Sequence, residues 1–187
     1  ARPEGMHFEK ISEESVYGGM GIRKVVRIYL DASDAHWFDV LIHLPAETDG
    51  QVPMFVGLNF KSNAATLDER ADFRWPYELV LKAGMGVATA WRDSVEPDGK
   101  DCPIKESDDV CRDGGVRAWY NKGGDWGAIS AWAWGLSRIV DYLETDKAVD
   151  CDRLAVVGHS RLGKAALWAG ANDQRFDMVI SNDSGCC

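Results

Sequence analysis

Residues 153–170, RLAVVGHSRLGKAALWAG, decide how this chain folds. The short apolar run LAVV predicts a buried strand, and the run KAALWAG predicts a helix whose small residues let it pack closely against that strand. Gly158 and Ser160 lie in a sharp turn between the two. A strand that turns into a helix is the repeating unit of α/β proteins with parallel sheets. The stretch therefore predicts an α/β fold.

The flanking sequence continues this alternation of strands and helices. Residues 25–44 predict an antiparallel hairpin around the turn SDAH, and Asp125 is a candidate N-cap for the clearest helix. The other segments predict strands at 52–60, 86–93 and 176–185. Helices are predicted between them, at 74–84 and 125–145. We expect a three-layer sandwich with a mostly parallel sheet, in one domain over residues 1–187.

Polar residues follow each predicted parallel strand. In sheets of this kind, ligands bind beyond the carboxyl ends of the strands. The candidate positions are 59–61, 92–93, 160 and 182–183. We therefore expect a functional site at this edge of the sheet.

The opening stretch also resembles a phosphate-binding loop, with Gly158, Gly163 and Lys164 in place. Such a loop needs Ser or Thr directly after the lysine, because that hydroxyl binds the magnesium ion. Ala165 occupies that position, and the loop interior, His-Ser-Arg-Leu, is too bulky to wrap around phosphate. The sequence therefore argues against nucleotide binding.

The alternative is a nucleophile elbow, in which a strand feeds a sharp turn that exposes a serine at the start of a helix. The usual spacing is G-x-S-x-G, and here the second glycine, Gly163, is displaced by one residue. The local pattern leaves two roles open for Ser160, because serine is also a common helix N-cap. His159 is adjacent to Ser160, and its side chain is expected to point away from its neighbour.

Composition excludes several classes of function. Thirty acidic and twenty-one basic residues give a net charge of −9, which argues against nucleic acid, and no apolar run is long enough for a membrane span. The five cysteines form no C-x-x-C pair, so a metal site is not predicted. Cys102 and Cys111 lie nine residues apart, and the sequence leaves open whether they pair.

The residues around Ser160 carry a family resemblance. The motif G-x-S-R-x-G-K, followed by ISNDSGC, resembles the bacterial glucuronoyl esterases, which are α/β-hydrolases that cleave esters between 4-O-methyl-glucuronic acid of xylan and lignin alcohols. The segments GLNFKSN, RWPYELVLKAGMGVATA and GDWGAISAWAWGLSRIVDYLE also resemble this family. The resemblance implies an α/β-hydrolase fold and a carboxylic ester hydrolase that needs no cofactor.

The resemblance also implies roles for individual residues. Ser160 would attack the ester carbonyl, and Arg161 would stabilise the oxyanion, its alternative being a surface arginine that pairs with an acid. Lys164 would contact sugar hydroxyls, unless it is a solvated helix lysine. Asp183 stands where some members carry the acid of the catalytic triad, usually Glu. Two alternatives stay open: Asp183 could satisfy backbone amides of the following turn, or the acid could come from a later strand, as in related members.

The resemblance further places the catalytic histidine after the last strand of the fold, and no histidine follows His159. We therefore expect a chain that lacks the last strands of the sheet and the base. Such a chain alone would hydrolyse glucuronoyl esters feebly or not at all. The polymeric substrate implies a secreted or periplasmic protein, which we expect to be a monomer.

Two further functions stay open. An acetylxylan esterase would use the same acyl-serine chemistry, although the positive pair Arg161 and Lys164 favours a uronic acid ester. A non-catalytic carbohydrate-binding fragment is also possible, because tryptophan rings stack on sugars. Trp91, Trp119 and Trp126 are candidates for that platform, their alternative being packing in the core or in a loop. Trp132 and Trp168 are expected in the core.

Overall fold

A computed structural model of the chain describes residues 1–67, 75–98, 115–120 and 126–185. Seven strands and six α-helices occur within these ranges. The strands are β1 (His7–Val16), β2 (Gly21–Tyr29), β3 (Trp37–Pro45), β4 (Val52–Asn59), β5 (Gly86–Trp91), β6 (Val149–His159) and β7 (Met178–Asn182). The helices are α1 (Asn63–Leu67), α2 (Tyr77–Lys82), α3 (Arg92–Val95), α4 (Val116–Tyr120), α5 (Ala128–Leu143) and α6 (Arg161–Asn172).

The strands form one sheet in the order β1-β2-β3-β5-β4-β6-β7. The first three strands are antiparallel, and β3 also pairs antiparallel with β5. The remaining four strands, β5, β4, β6 and β7, run parallel. The predicted N-terminal hairpin is therefore present as β2 and β3, but β1 extends it into a three-stranded antiparallel unit.

Helices cover both faces of this sheet. Along β3, Val40 and Ile42 belong to the main apolar core, which also contains Trp132 of α5 and Ala165 of α6. His43 lies on the opposite face, where its ring stacks on another helix, α2. Burial of these alternating positions on both sides produces the predicted three layers, because a strand presents successive side chains to opposite faces.

His43 is a buried histidine on the α2 side of the sheet, with only 1% of its surface exposed. Its ring lies 4.1 Å from the Tyr77 ring, and its Nδ1 atom has no hydrogen-bond partner. Burial lowers the pKa of His43 to about 3, and the charge of Arg23 adds to the effect. The histidine is therefore neutral at physiological pH.

Three details of the sequence interpretation are wrong. Helix α5 has Gly127 as its N-cap in place of Asp125, which lies outside the described residues. Strand β5 ends at Trp91, and Arg92 begins a short helix. Trp168 is 50% exposed, because α6 turns small residues toward the sheet, whereas Trp132 is buried as expected.

Cys102 and Cys111 lie outside the described residues, and so do Cys186 and Cys187. Cys151 is a free, half-buried thiol. Over the described ranges, no helix has the length and hydropathy that a membrane crossing requires.

Candidate active site

Ser160 occupies a strained turn between β6 and α6. Its backbone has φ +55° and ψ −128°, a conformation that side-chain-bearing residues rarely adopt. Ser160 is the N-cap residue of α6 by position, but its hydroxyl makes no capping hydrogen bond. The interpretation of Ser160 as a side-chain cap is therefore wrong. Strain of this kind persists only where the surrounding structure enforces it, and it is concentrated at functional sites.

Two glycines allow the turn to form. A Cβ atom on Gly158 would collide with the carbonyl group of Leu162 and lie 2.8 Å from the nitrogen of Gly163. A Cβ atom on Gly163 would lie 3.0 Å from Oγ of Ser181. The displaced second glycine thus lets the first turn of α6 approach the end of β7.

Helix α6 lies close to the sheet behind Ser160. Ala165, Ala166 and Ala169 are buried in the core, and a Cβ atom on Gly170 would collide with the side chain of Val179. The small residues predicted to permit close packing therefore do so. The helix amino terminus, with its partial positive charge, is directly adjacent to Ser160.

Contacts join the four predicted strand ends into one site. The Phe60 ring, after β4, lies edge-on to the His159 ring at 6.4 Å. The guanidinium of Arg92, after β5, lies 5.0 Å from the centre of the same Phe60 ring. The amide of Ser160 donates a hydrogen bond of 2.9 Å to the carbonyl of Asn182 at the end of β7.

Arg161 begins α6, and its side chain is about half exposed. Its Nη1 atom pairs with the carboxylate of Asp98, so the alternative of an arginine that pairs with an acid is realised in this structure. The backbone N–H of Arg161 lies in the first turn of α6, where helical amides have no intrahelical acceptor. Lys164 is half-buried three residues further along, on the same side of the helix.

Asp98 belongs to a charge cluster that the sequence did not reveal. Its Oδ2 atom forms a salt bridge with Nη1 of Arg92 at 3.0 Å in addition to the contact with Arg161. The neighbouring Asp93 is 8% exposed, and burial raises the pKa of its carboxyl group. These groups bring two arginines to the carboxyl edge of the sheet.

Asp183 follows β7 directly and has a left-handed backbone with φ +50°. Its carboxylate is exposed and makes no hydrogen bond to any residue of the described ranges. The preceding Asn182 contacts the elbow twice, through its carbonyl to Ser160 and through its side-chain nitrogen to Nδ1 of His159 at 3.1 Å. Asp183 is therefore one residue away from a direct backbone contact with Ser160.

The other three histidines lie away from Ser160. His43 pairs with Val87, at the amino end of β5, which is the opposite end of the parallel strands. His36 hydrogen-bonds to Asp31 in the turn between β2 and β3. His7 lies on β1 at the far edge of the sheet, five strand positions from β6, or about 24 Å at the usual spacing.

The three tryptophans that were candidates for stacking on sugars have different neighbours in the structure. Trp91 is half-buried at the end of β5. The Trp119 ring lies 4.8 Å from the His36 ring and is tilted against it by 34°, and the Trp126 ring lies edge-on to the Trp134 ring at 6.4 Å. In the described part of the chain, no group of three His, Cys, Asp or Glu side chains could hold a metal ion.

Comparison with known proteins gives consistent matches. The family model described as glucuronyl esterase, fungi, matches residues 30–187. The chain is 37% identical over 216 residues to the carbohydrate esterase MZ0003 from an unknown prokaryotic organism. The aligned region covers 96% of this chain and 48% of that protein. It is also 38% identical over 99 residues to 4-O-methyl-glucuronoyl methylesterase 1 of Wolfiporia cocos, and this aligned region covers 48% of this chain and 24% of that protein.

A solved structure of a glucuronoyl esterase from Solibacter usitatus superposes with a TM-score of 0.82 at 35% identity. The superposition covers 99% of this chain and 53% of that structure. The predicted α/β-hydrolase fold is thus confirmed. The chain spans about half the length of the relatives that it matches along its whole length.

Proposed function

The chain belongs to the glucuronyl esterase family, and from this membership we propose that Ser160 is the nucleophile of a carboxylic ester hydrolase that cleaves glucuronoyl esters. The observation that carries the proposal is the strained backbone of Ser160, at φ +55°, in a turn that leaves its hydroxyl without a capping role. A serine in such a turn presents Oγ beyond the carboxyl edge of the sheet.

The reaction would proceed through an acyl-serine intermediate. Oγ of Ser160 attacks the ester carbonyl, the alcohol leaves, and water then releases the uronic acid. Arg161 would stabilise the oxyanion with its backbone N–H and its guanidinium. Fixed donors of this kind lower the barrier because the negative charge develops only on the way to the tetrahedral intermediate.

The substrate class follows from the charge beside the nucleophile. Arg161 and Lys164 place two positive groups on one side of the start of α6, which suits the oxygen-rich acyl portion of a uronic acid ester. The name of the Wolfiporia cocos relative specifies a 4-O-methyl-glucuronoyl ester. We assign this chain the same acyl group, on a xylan-derived sugar, with a lignin alcohol as the other part of the ester.

Asp183 would act as the acid of the triad. Its position after β7, next to the residue that binds the Ser160 amide, suits a carboxylate that orients a histidine. We assign the role of the base to none of the four histidines in this chain. His159 is engaged by Asn182, and the other three lie away from Ser160 on β1, on β3 and in the turn before β3.

Because the ester lies in the plant cell wall polymer, the enzyme would act outside the cytoplasm, as a secreted or periplasmic protein. No cofactor enters the proposed chemistry. We expect the protein to be a monomer, because every group assigned here comes from a single domain over residues 1–187.

A pair of activated esters tests the proposal. The nitrophenyl ester of glucuronic acid should acylate the chain faster than nitrophenyl acetate, because only the uronic acid can contact Arg161 and Lys164. An acetylxylan esterase would react faster with the acetate. Binding of xylan oligosaccharides that is unaffected by changes at Ser160, Arg161 and Lys164, with neither ester reacting, would instead support a carbohydrate-binding protein.

A further inference from the structure

Asp98 links two arginines at the carboxyl edge of the sheet. One of its carboxylate oxygens, Oδ2, forms a salt bridge with Nη1 of Arg92 at 3.0 Å and accepts a hydrogen bond from Nη1 of Arg161. Arg92 follows β5 and Arg161 follows β6, and β4 lies between these strands in the sheet. The contact between Arg161 and Asp98 therefore crosses the sheet edge above the end of β4.

Arg92 and Asp98 are held firmly on their side of this contact. The Arg92 side chain is 15% exposed, and its guanidinium lies 5.0 Å from the ring centre of Phe60 and 5.5 Å from that of Trp132. The backbone nitrogen of Asp98 donates a hydrogen bond of 3.2 Å to the buried carboxylate of Asp93. Asp98 is thus fixed through its backbone and through its side chain.

Arg161 differs because its side chain is 53% exposed. A free arginine side chain samples many rotamers, and fixing it in one of them costs conformational entropy. Two guanidiniums that approach the same oxygen would also repel each other without the carboxylate between them. The Asp98 carboxylate offsets the entropy cost by binding the Arg161 guanidinium, and it offsets the repulsion by placing a negative charge between the two arginines.

We propose that Asp98 is a positioning residue that holds the guanidinium of Arg161 at the carboxyl edge of the sheet, ready for the oxyanion. The inference rests on the proposed function, in which Arg161 stabilises the tetrahedral intermediate. Donors that are already in place need no reorganisation during the reaction, and this is the source of their effect. Asp98 acts through Arg161 and does not touch the substrate.

The size of the effect follows from that role. Loss of an oxyanion donor lowers the rate by about 100-fold to 1000-fold, and an unpaired Arg161 would still reach its position part of the time. We expect Asp98→Asn to lower the rate constant of acylation by about tenfold, with little change in substrate binding. Asp98→Glu should stay within about threefold of the parent, because it restores the charge-assisted hydrogen bond.

A double-mutant cycle tests whether Asp98 acts through Arg161. Acylation by the nitrophenyl ester of glucuronic acid is measured in the parent chain, Asp98→Asn, Arg161→Gln and the double variant. Asp98→Asn should lower the rate constant in the parent background and have almost no effect beside Arg161→Gln. Asp150→Asn is the matched control, because Asp150 pairs with Arg153, whose side chain is also more than half exposed, at the other end of β6.

Circular dichroism and thermal unfolding establish that each variant folds. An unchanged rate in Asp98→Asn, or an equal decrease in both backgrounds, would overturn the inference. A rate that is independent of Arg161 would instead contradict the proposed function. NMR relaxation of the Arg161 Nε–H group gives a measurement that does not depend on catalysis. We expect this group to be rigid in the parent chain and mobile in Asp98→Asn. Equal mobility in both proteins would also overturn the inference.

Discussion

The backbone amide of Ser160 donates a hydrogen bond of 2.9 Å to the carbonyl of Asn182. This bond joins two turns that are separated by 22 residues in the sequence, the elbow after β6 and the turn after β7. It places Asp183 immediately beyond a residue in contact with Ser160. The backbone therefore assembles the site before any side chain contributes to it.

The strain at Ser160 should be measurable as stability. A backbone at φ +55° and ψ −128° costs about 1 to 3 kcal/mol for a residue with a Cβ atom. Ser160→Gly removes that cost, although glycine also makes the unfolded chain more flexible by about 0.5 to 1 kcal/mol. We expect Ser160→Gly to be about 1 kcal/mol more stable than Ser160→Ala in urea unfolding. Equal stabilities would show that the turn is not strained.

Gly158 should tolerate no side chain. Its Cβ atom would meet the backbone of Leu162 and Gly163, which cannot move without breaking the first turn of α6. We expect Gly158→Ala to lose about 3 kcal/mol of the free energy of unfolding. Gly50→Ala is the control, because nothing lies within 4 Å of its Cβ position, and it should change stability by about 0.5 kcal/mol or less. Similar losses in both variants would contradict the geometry of the elbow.

His43 should make the fold sensitive to acid. Its pKa is about 3 in the folded chain, below the ordinary value of 6.5, so the unfolded chain binds the proton more readily. Its contribution to stability is complete above pH 6.5 and is lost as the pH falls toward 3. We expect this contribution to decrease by about 2 to 3 kcal/mol between pH 7 and pH 4.5.

Urea unfolding of the parent and of His43→Phe across this pH range isolates the effect. The phenylalanine keeps an aromatic ring against Tyr77 but binds no proton. The difference in stability between the two proteins should therefore shift in favour of the variant as the pH falls. A difference that is constant with pH would mean that the folded chain can protonate His43 without cost.

Lys164 should select for the uronic acid. A hydrogen bond from a charged group contributes about 1.5 to 3 kcal/mol, so Lys164→Met should slow acylation by the glucuronic acid ester by about tenfold or more. Reaction with nitrophenyl acetate should be unaffected, because the acetyl group has no hydroxyls to contact. Lys147→Met, in the loop before β6 and exposed, is the control. Equal slowing with both esters would assign Lys164 a structural role.

The order of strands and helices could be predicted because buried strands and helices differ in hydrophobic period. Strand β1 could not, because it is an edge strand with most of its residues exposed on both faces and so lacks the alternation that identifies a half-buried strand. Trp168 was misplaced for a related reason. Hydrophobicity alone favours burial of a tryptophan, but the close approach of α6 to the sheet requires alanine at the contact.

Four residues could be named as candidates from the sequence because they stand at a strand end or within one motif: Ser160, Arg161, Lys164 and Asp183. Asp98 could not, because its contact with Arg161 joins residues 63 positions apart, and the polar segment around it has no periodicity. The rejection of the capping role for Ser160 also required coordinates. Both interpretations share the same sequence, and only the hydroxyl's lack of a capping hydrogen bond separates them.

Covalent labelling tests the central claim, that Ser160 is the nucleophile toward a glucuronoyl ester, most directly. The chain is incubated with the nitrophenyl ester of glucuronic acid, whose leaving group needs no general acid, and the product is digested and analysed by mass spectrometry. We expect one glucuronoyl group on the peptide that contains Ser160, formed slowly and absent from Ser160→Ala. A label on another residue, or the same labelling in Ser160→Ala, would contradict the account.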